Sequence, residues 1–279
     1  MNDSLLQVRD LVVRYPLGRP RLFGAQREVE ALAGVSVDIG EGGTLGVVGE
    51  SGSGKSTLAR AVLGFARPAS GAILWRGVAI DNSNRDRMRR LRREVQVVFQ
   101  DPFGSLDPRM TAGESVAEAL EALEGLTGPA AEERVVAALG EVGLDPSLRR
   151  RYPHELSGGQ CQRVAIARAT VVRPDLLICD EAVSALDVSI QAQIVNLLRE
   201  LCDRHAMALL FISHNLAVVR HLCADIAVLR EGRIVERASR ETLFSAPQDP
   251  YTRSLLAAAS ISSMRSPDGP SMTPVRRPR

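Results

Sequence analysis

The chain is nearly devoid of lysine: of its 35 basic residues, every one except Lys55 is arginine. A composition that supplies Arg wherever either cation serves implies that position 55 is one where only Lys serves. The difference is one of shape. Arg carries a wide planar fork, whereas Lys is a compact ammonium on a thin stem that can enter a tight ring of backbone groups. Cysteine is also scarce, and Cys161, Cys179, Cys202 and Cys223 form no C-x-x-C pair. That spacing argues against a zinc site or a disulfide framework and fits a reduced, cytosolic setting. Long apolar runs are missing too. Stretches such as Ala206 to Ile212 fall far short of the roughly 20 residues needed to span a bilayer, and the N-terminus has neither the basic region nor the apolar segment of a signal peptide. Net charge is only +2, which makes no electrostatic case for nucleic acid or an anionic membrane surface. The arginine-rich run from Arg85 to Arg93 reads as the solvated face of a helix. Any membrane role is therefore expected to be peripheral, through partner subunits.

What is present is an α/β pattern. Residues 5–15 and 29–39 read as strands rich in Val and Leu, joined by a loop from Pro16 to Arg27. Four later apolar runs end alike in polar, chemically capable residues. Thr44 to Val48 leads into Gly49, Val95 to Phe99 into Gln100, Leu176 to Cys179 into Asp180 and Glu181, and Ala208 to Ile212 into Ser213 and His214. Continuous apolar character suits strands buried on both faces of a parallel sheet. Helical segments follow at Lys55 to Gly64, Gly159 to Val172 and Ser189 to His205, the last with an apolar stripe of Ile190, Ile194, Leu197, Leu198 and Leu201. Ligands of open α/β sheets bind at the carboxyl ends of the strands, so the four polar endings are expected to converge. Residues from about 101 to 157 read as short helices inserted into this core. Ile226 to Leu229 and Ile234 to Glu236 read as a hairpin, and residues 261–279 as a disordered tail.

Three segments carry chemistry. Gly49, Glu50, Ser51, Gly52, Ser53, Gly54, Lys55, Ser56 and Thr57 follow an apolar run and precede a helix, the pattern of a loop whose backbone wraps phosphates at a helix N-terminus. Binding of a nucleoside triphosphate is the implied role, with Ser56 as a magnesium ligand. Asp180 suits the same magnesium, and Glu181 beside it suits orienting and deprotonating an attacking water. Alone, that acidic pair also fits a strand simply leaving the core. Leu156, Ser157, Gly158, Gly159 and Gln160 offer a second anion-binding helix start. A capped helix with no ligand is the alternative reading.

The phosphate loop, Gln100, the Leu156 to Gln160 segment, Asp180 with Glu181, Ser184 to Asp187, and His214 occur together in an order and spacing that resemble the ATP-binding-cassette ATPases. The resemblance implies a P-loop NTPase (RecA-like) core with a parallel-rich sheet, a small antiparallel β subdomain and an inserted helical subdomain. It implies that ATP held by one subunit is closed over by Ser157, Gly158, Gly159 and Gln160 of a second. It further implies that Gln100 links the magnesium and water site to the helical subdomain, that His214 contacts the γ-phosphate and water, and that Ser184 and Asp187 lie in a loop between subunits. Tyr15 resembles the aromatic that stacks on adenine; a surface tyrosine before Pro16 is the alternative. For His214 the alternative is a satisfied strand-end histidine.

Narrower features resemble the importer branch for oligopeptides, dipeptides, glutathione and nickel: Arg21 to Gly24, Val98 to Pro102, Ser105 to Arg109, Arg151 to His154, Ser184 to Gln193, and Gln248 to Arg253 with Leu255 and Leu256. With the core motifs these cover residues 5–260, including a C-terminal extension over about 239–260. Two departures stand out: Cys161 occupies a place where the family usually carries a larger polar residue, and the four-cysteine iron–sulfur site of many peptide-importer ATPases is missing beyond Cys223. The expected function is ATP hydrolysis powering uptake of peptides or similar small solutes at the cytoplasmic face of the inner membrane. The cofactors are ATP and Mg2+. The partners are a second ATPase subunit, two integral permease subunits and, indirectly, a solute-binding protein, with no nucleic acid. A nickel or glutathione importer is the alternative, and a soluble cassette ATPase of DNA repair or translation a more distant one.

Overall fold

The computed structural model describes residues 4–17, 28–81 and 83–264. Most of the Pro16 to Arg27 loop, including Arg21 to Gly24, and residues 265–279 lie outside that range. The chain opens with two long strands, β1 (Ser4–Pro16) and β2 (Glu28–Gly40), paired antiparallel. Then come β3 (Thr44–Val48), the phosphate-loop segment, α1 (Lys55–Val62), β4 (Ser70–Trp75), β5 (Val78–Ala79), α2 (Arg85–Glu94) and β6 (Val95–Val98). The inserted helical region holds α3 (Ala112–Glu124), α4 (Gly128–Glu141) and two 3-10 turns at Pro146–Arg150 and Pro153–Glu155. The core resumes with α5 (Gly158–Thr170), β7 (Leu176–Asp180), α6 (Val188–His205), β8 (Ala208–Ser213), α7 (Leu216–Leu222), β9 (Asp225–Arg230), β10 (Arg233–Ser239), α8 (Arg240–Ser245) and α9 (Pro250–Met264). The last helix thus runs past residue 260, where the sequence pattern places the end of the extension.

Among the described residues the strands form two sheets. The larger has the order β10-β9-β3-β8-β7-β6 and is parallel except for the final hairpin partner; the smaller, antiparallel sheet has the order β2-β1-β4-β5. The four runs with polar endings are therefore the adjacent strands β3, β8, β7 and β6. Their register aligns Val48 with Ser213, and Asp180 with Ile212. This parallelism puts the phosphate loop, His214, the Asp180 and Glu181 pair and Gln100 at one edge of the sheet.

Every residue of β8 is buried, and its side chains alternate between two cores. Leu209 and Phe211 join Val116, Leu120 and Ile166 on the side of the inserted helices. Leu210 and Ile212 join Leu6, Leu58 and Trp75 beneath the antiparallel sheet. Burial on both faces is why these strands read as continuous apolar runs rather than as alternating ones.

Local signals explain most helix limits. A reciprocal Thr111 and Glu114 capping box starts α3 and Gly125, in the left-handed region at φ 70°, ends it, so the insertion contains two helices of ordinary length rather than only short ones. Asn84 caps α2, which buries Met88 and Leu91 and leaves Arg87, Arg89, Arg90, Arg92 and Arg93 exposed, the solvated face expected from sequence. The β9–β10 turn places Glu231 and Gly232 at φ 49° and 76°, the two left-handed positions that a tight hairpin with right-handed strand twist requires. Phe211, at the centre of the middle strand, is fully buried. Phe211→Ala is expected to cost about 3–5 kcal/mol, read as a lowered midpoint with unchanged slope in urea unfolding.

Candidate functional site

The loop after β3 turns around a buried ammonium. Lys55 is only 4% exposed, and its Nζ donates to the carbonyls of Gly49 at 2.8 Å and Glu50 at 2.7 Å. Two of its three N–H groups are thereby used on the loop itself, and the third has no acceptor among the described residues. Burial pulls its pKa below the usual lysine value, an effect the nearby Glu181 and Asp180 charges oppose. The glycines are required by this path. Gly54 sits at φ 110°, and a Cβ there would lie 2.5 Å from the Ala31 carbonyl oxygen, while a Cβ on Gly49 would strike the carbonyl of Leu229. Ser53 is buried in the loop with its Oγ unpartnered among the described residues.

Ser56, the first residue after the lysine, donates its hydroxyl to Asp180 Oδ1 at 2.9 Å. This bond ties the start of α1 to the end of β7. Burial raises the Asp180 pKa; the Ser56 hydrogen bond opposes that rise, and the neighbouring Glu181 charge adds to it. Two adjacent carboxylates, one desolvated, form a place where a cation is favoured.

Glu181 adopts a left-handed backbone at φ 52°, unusual for a residue with a Cβ. The conformation is held from both sides: the Glu181 amide donates to the Ile212 carbonyl at 2.9 Å, and Ser184 Oγ donates to the Glu181 carbonyl at 2.9 Å. A residue held this way, at a cost on the order of 1–3 kcal/mol, is aimed rather than merely accommodated. His214 Nδ1 lies 3.4 Å from Glu181 Oε2. Ala31, Ser51, Gly52, Gly54, Lys55, Ser56, Thr57, Gln100 and Glu181 line one cleft of about 360 Å3.

The residues singled out in the sequence divide into two sets. Ser51, Gly52 and Gly54 to Thr57 of the phosphate loop line this cleft with Gln100 and Glu181. Asp180 is joined to it through Ser56 and His214 through Glu181, while Glu50 and Ser53 line a neighbouring cavity with Tyr251. Ser157, Gly158, Gly159 and Gln160 do not line the cleft. They start α5, where Ser157 and Gln160 form a reciprocal capping box: the Ser157 amide donates to Gln160 Oε1 at 2.9 Å, and the Gln160 amide to Ser157 Oγ at 3.3 Å. Glycine is needed at 159 because a Cβ there would meet Ile190 Cγ2 at 2.9 Å, so α5 rests closely on α6. Asp187 stands at the N-cap of α6 but makes no side-chain cap bond and is exposed, next to Val188 at 82% exposure. Tyr15 is also outside the cleft, on β1 opposite Val29, while Ala31 of that same β2 strand lines it. Cys161 is fully buried with its Sγ against the Pro153 carbonyl at 3.5 Å. The other histidines have contacts elsewhere: His205 with Glu141, His221 with Asn196, and His154 stacked on Tyr152.

Two contributors escaped the sequence reading. Ala31 lacks any chemical signal, because it lines the cleft through its place on the strand. Tyr251, within the Gln248 to Arg253 motif, accepts a hydrogen bond from the Glu50 amide at 3.2 Å. That motif was visible in the sequence, but its contact with the loop was not.

A phosphate loop after the central strand of a parallel sheet, bonded to a carboxylate at the end of a nearby strand, defines a P-loop nucleoside triphosphatase. The comparisons narrow the class. Residues 32–184 match the model of the ABC transporter family, more than half of the chain, and the chain belongs to that family as an ATPase cassette. It is 49% identical over 261 residues to the glutathione import ATP-binding protein GsiA of Salmonella paratyphi A, covering 93% of this chain and 42% of that protein. The Escherichia coli K12 protein of the same name is likewise 49% identical, over 259 residues. The chain thus spans under half the length of these curated relatives. Among solved structures, cbiO1 of Clostridium perfringens, part of the ABC transporter complex cbiONQ, superposes with TM-score 0.75 at 29% identity over 88% of this chain and 92% of that one. The ATP-binding cassette MJ0796, in a dimeric post-hydrolysis state with ADP and Pi, does so at 0.74 and 27% identity, over 84% and 98% of the two chains.

Lys55→Arg keeps the charge but puts a wide guanidinium where the loop encloses a narrow ammonium. It is expected to weaken ATP binding at least about tenfold, or 1.4 kcal/mol, in a fluorescent-nucleotide titration.

Proposed function

We propose that this chain is the ATP-hydrolysing subunit of an importer for peptides or similar small solutes, glutathione among them. The observation that carries the reading is the junction of three contacts at one cleft: the buried Lys55 ammonium, the Ser56 to Asp180 hydrogen bond, and the Glu181 to His214 approach. The solute class follows from the identity to the glutathione import proteins together with the importer-branch motifs.

In this reading the phosphate loop wraps the β- and γ-phosphates with its amides, and the free N–H of Lys55 meets a phosphate oxygen. The Ser56 hydroxyl, the Asp180 carboxylate and Gln100 would hold Mg2+, which supplies charge neutralisation to the phosphates when bound. The unpartnered Lys55 proton and the orphan Ser53 hydroxyl suit a phosphate, and the cation-favouring carboxylate pair suits the metal. Glu181 accepts the proton of the attacking water, its carboxylate aimed by the left-handed backbone. His214 orients that carboxylate and reaches the γ-phosphate. Gln100 joins this chemistry to the inserted helical subdomain. Tyr15 stacks on the adenine from the β1 edge.

Ser157, Gly158, Gly159 and Gln160 serve a different nucleotide. With Ser157 exposed and the other three half-buried at the start of α5, outside their own chain's cleft, they cover ATP held by a second cassette, of the same or a related chain. Ser184 and Asp187 lie between the two. The unengaged Asp187 side chain and the exposed Val188 beside it support such a contact. Two permease subunits complete the complex, with a solute-binding protein acting on them. Among the described residues no helix is long and apolar enough to cross a membrane. In this reading the chain sits peripherally at the cytoplasmic face of the cell membrane, docked on its permeases. The cassette domain covers residues 5–260, with the helical subdomain at about 101–157.

Glu181→Gln separates binding from chemistry. Loss of the base is expected to lower kcat by about 100-fold or more while ATP binding survives, measured by phosphate release beside nucleotide titration. Turnover within threefold of the unaltered chain would remove Glu181 from the role of base.

A further inference from the structure

The C-terminal segment reaches back to the phosphate loop. The peptide group joining Gly49 to Glu50 is gripped at both ends: its carbonyl accepts from Lys55 Nζ at 2.8 Å, and its N–H donates to the Tyr251 hydroxyl at 3.2 Å. Lys55 therefore rests on a peptide whose orientation Tyr251 restrains. The two residues in that second bond are 201 positions apart in sequence.

Tyr251 is itself tightly positioned. It is only 9% exposed, and the Arg230 guanidinium covers its ring at 4.8 Å from the centroid. Glu236 of β10 accepts the amides of Gln248 at 2.8 Å and Asp249 at 3.0 Å. Asp249 in turn accepts the Tyr251 amide at 2.7 Å. This relay runs from β10 through the start of α9 to the tyrosine hydroxyl. The β9–β10 turn holds the same loop from another point, the Gly232 amide donating to the Ser53 carbonyl at 2.9 Å. The hairpin and the C-terminal extension thus each hydrogen-bond the loop.

We propose that Tyr251 is a positioning residue for the nucleotide: its hydroxyl fixes the Gly49–Glu50 peptide and, through that peptide's carbonyl, the height of the Lys55 ammonium in the cleft. The inference rests on the reading of the cleft as an ATP site. Without the hydroxyl, the Glu50 amide loses its acceptor, and the peptide is free to rotate away from Lys55. The ammonium then loses one of its two backbone anchors, and its free N–H no longer meets the phosphates at a fixed place. Because the loop contacts phosphate in ground state and transition state alike, the loss falls on affinity more than on the chemical step.

Tyr251→Phe in the full chain keeps the ring and its Arg230 contact and removes the hydroxyl alone. The expected result is a rise in KM and in the Kd for ATP of about 5- to 30-fold, within the range set by loss of an amide's acceptor, with kcat within about threefold and a cooperative urea transition retained. Affinity within twofold of the unaltered chain overturns the inference. So does an affinity loss that merely tracks a loss of stability. Should the variant fail to fold, amide exchange of Glu50 in the unaltered chain decides: protection of that amide without nucleotide supports the bond, and exchange at the rate of a free amide overturns it. Failure of the unaltered chain to bind ATP defeats the functional reading and this inference with it, whereas normal binding with an indifferent Tyr251→Phe defeats the inference alone.

Discussion

Burying one ammonium without a bonded counter-ion is the constraint on which the site is built. Lys55 spends its hydrogen bonds on two loop carbonyls, and these can point inward only if the loop turns through conformations that need Gly52 and Gly54 at positive φ. The loop holds that turn because strands flank it on both sides, β8 and β9 pairing with β3. A partly satisfied buried cation is costly unless an anion completes it. The fold thus stores an unmet demand for phosphate beside a carboxylate pair with its own demand for a cation. The proposed occupant, magnesium-bound ATP, would meet both.

The parallel sheet turns this local demand into a catalytic arrangement. Because β3, β8, β7 and β6 run the same way, the residue after each strand arrives at one edge, and four separate stretches of sequence supply one cleft. The two cores keep that edge rigid. Phe211 and Leu209 pack one face of the middle strand, and Leu210 and Ile212 the other, so Glu181, hydrogen-bonded to the Ile212 carbonyl, inherits its position from the most buried strand of the protein. The Ser157 to Gln160 segment belongs to the other layer, closely packed on α6 through Gly159 with Ser157 exposed at the helix start, and under the proposed function a second cassette supplies the nucleotide there.

What was legible in the sequence follows the same division. The strands buried on both faces announced themselves as apolar runs, and the chemical residues as their endings, since burial and ligand binding leave composition behind. Lys55 stood out because the rest of the chain avoids lysine. The short strands Ser70–Trp75 and Val78–Ala79 were not legible: they are brief, Gly71 interrupts the first, Gly77 sits in the turn between them, and the first is held by distant residues of β1. Nor was the tie between Tyr251 and Glu50, because a hydrogen bond across most of the chain leaves no local pattern. The Gln248 to Arg253 motif is visible in the sequence; only the fold shows the phosphate loop as its neighbour. The capping box at Ser157 illustrates a reading that stays double: the structure shows the capped helix, and the Ser157 O–H and the Gly158 and Gly159 amides take no part in that box.

The central claim is that the lysine-centred cleft of this chain is an ATP site. The most direct measurement is calorimetric titration of ATP with magnesium into the unaltered full chain. The account requires one ATP bound per chain, displaced by ADP, with weaker binding when magnesium is withheld. No binding heat under these conditions, or binding indifferent to both magnesium and competing ADP, would contradict it.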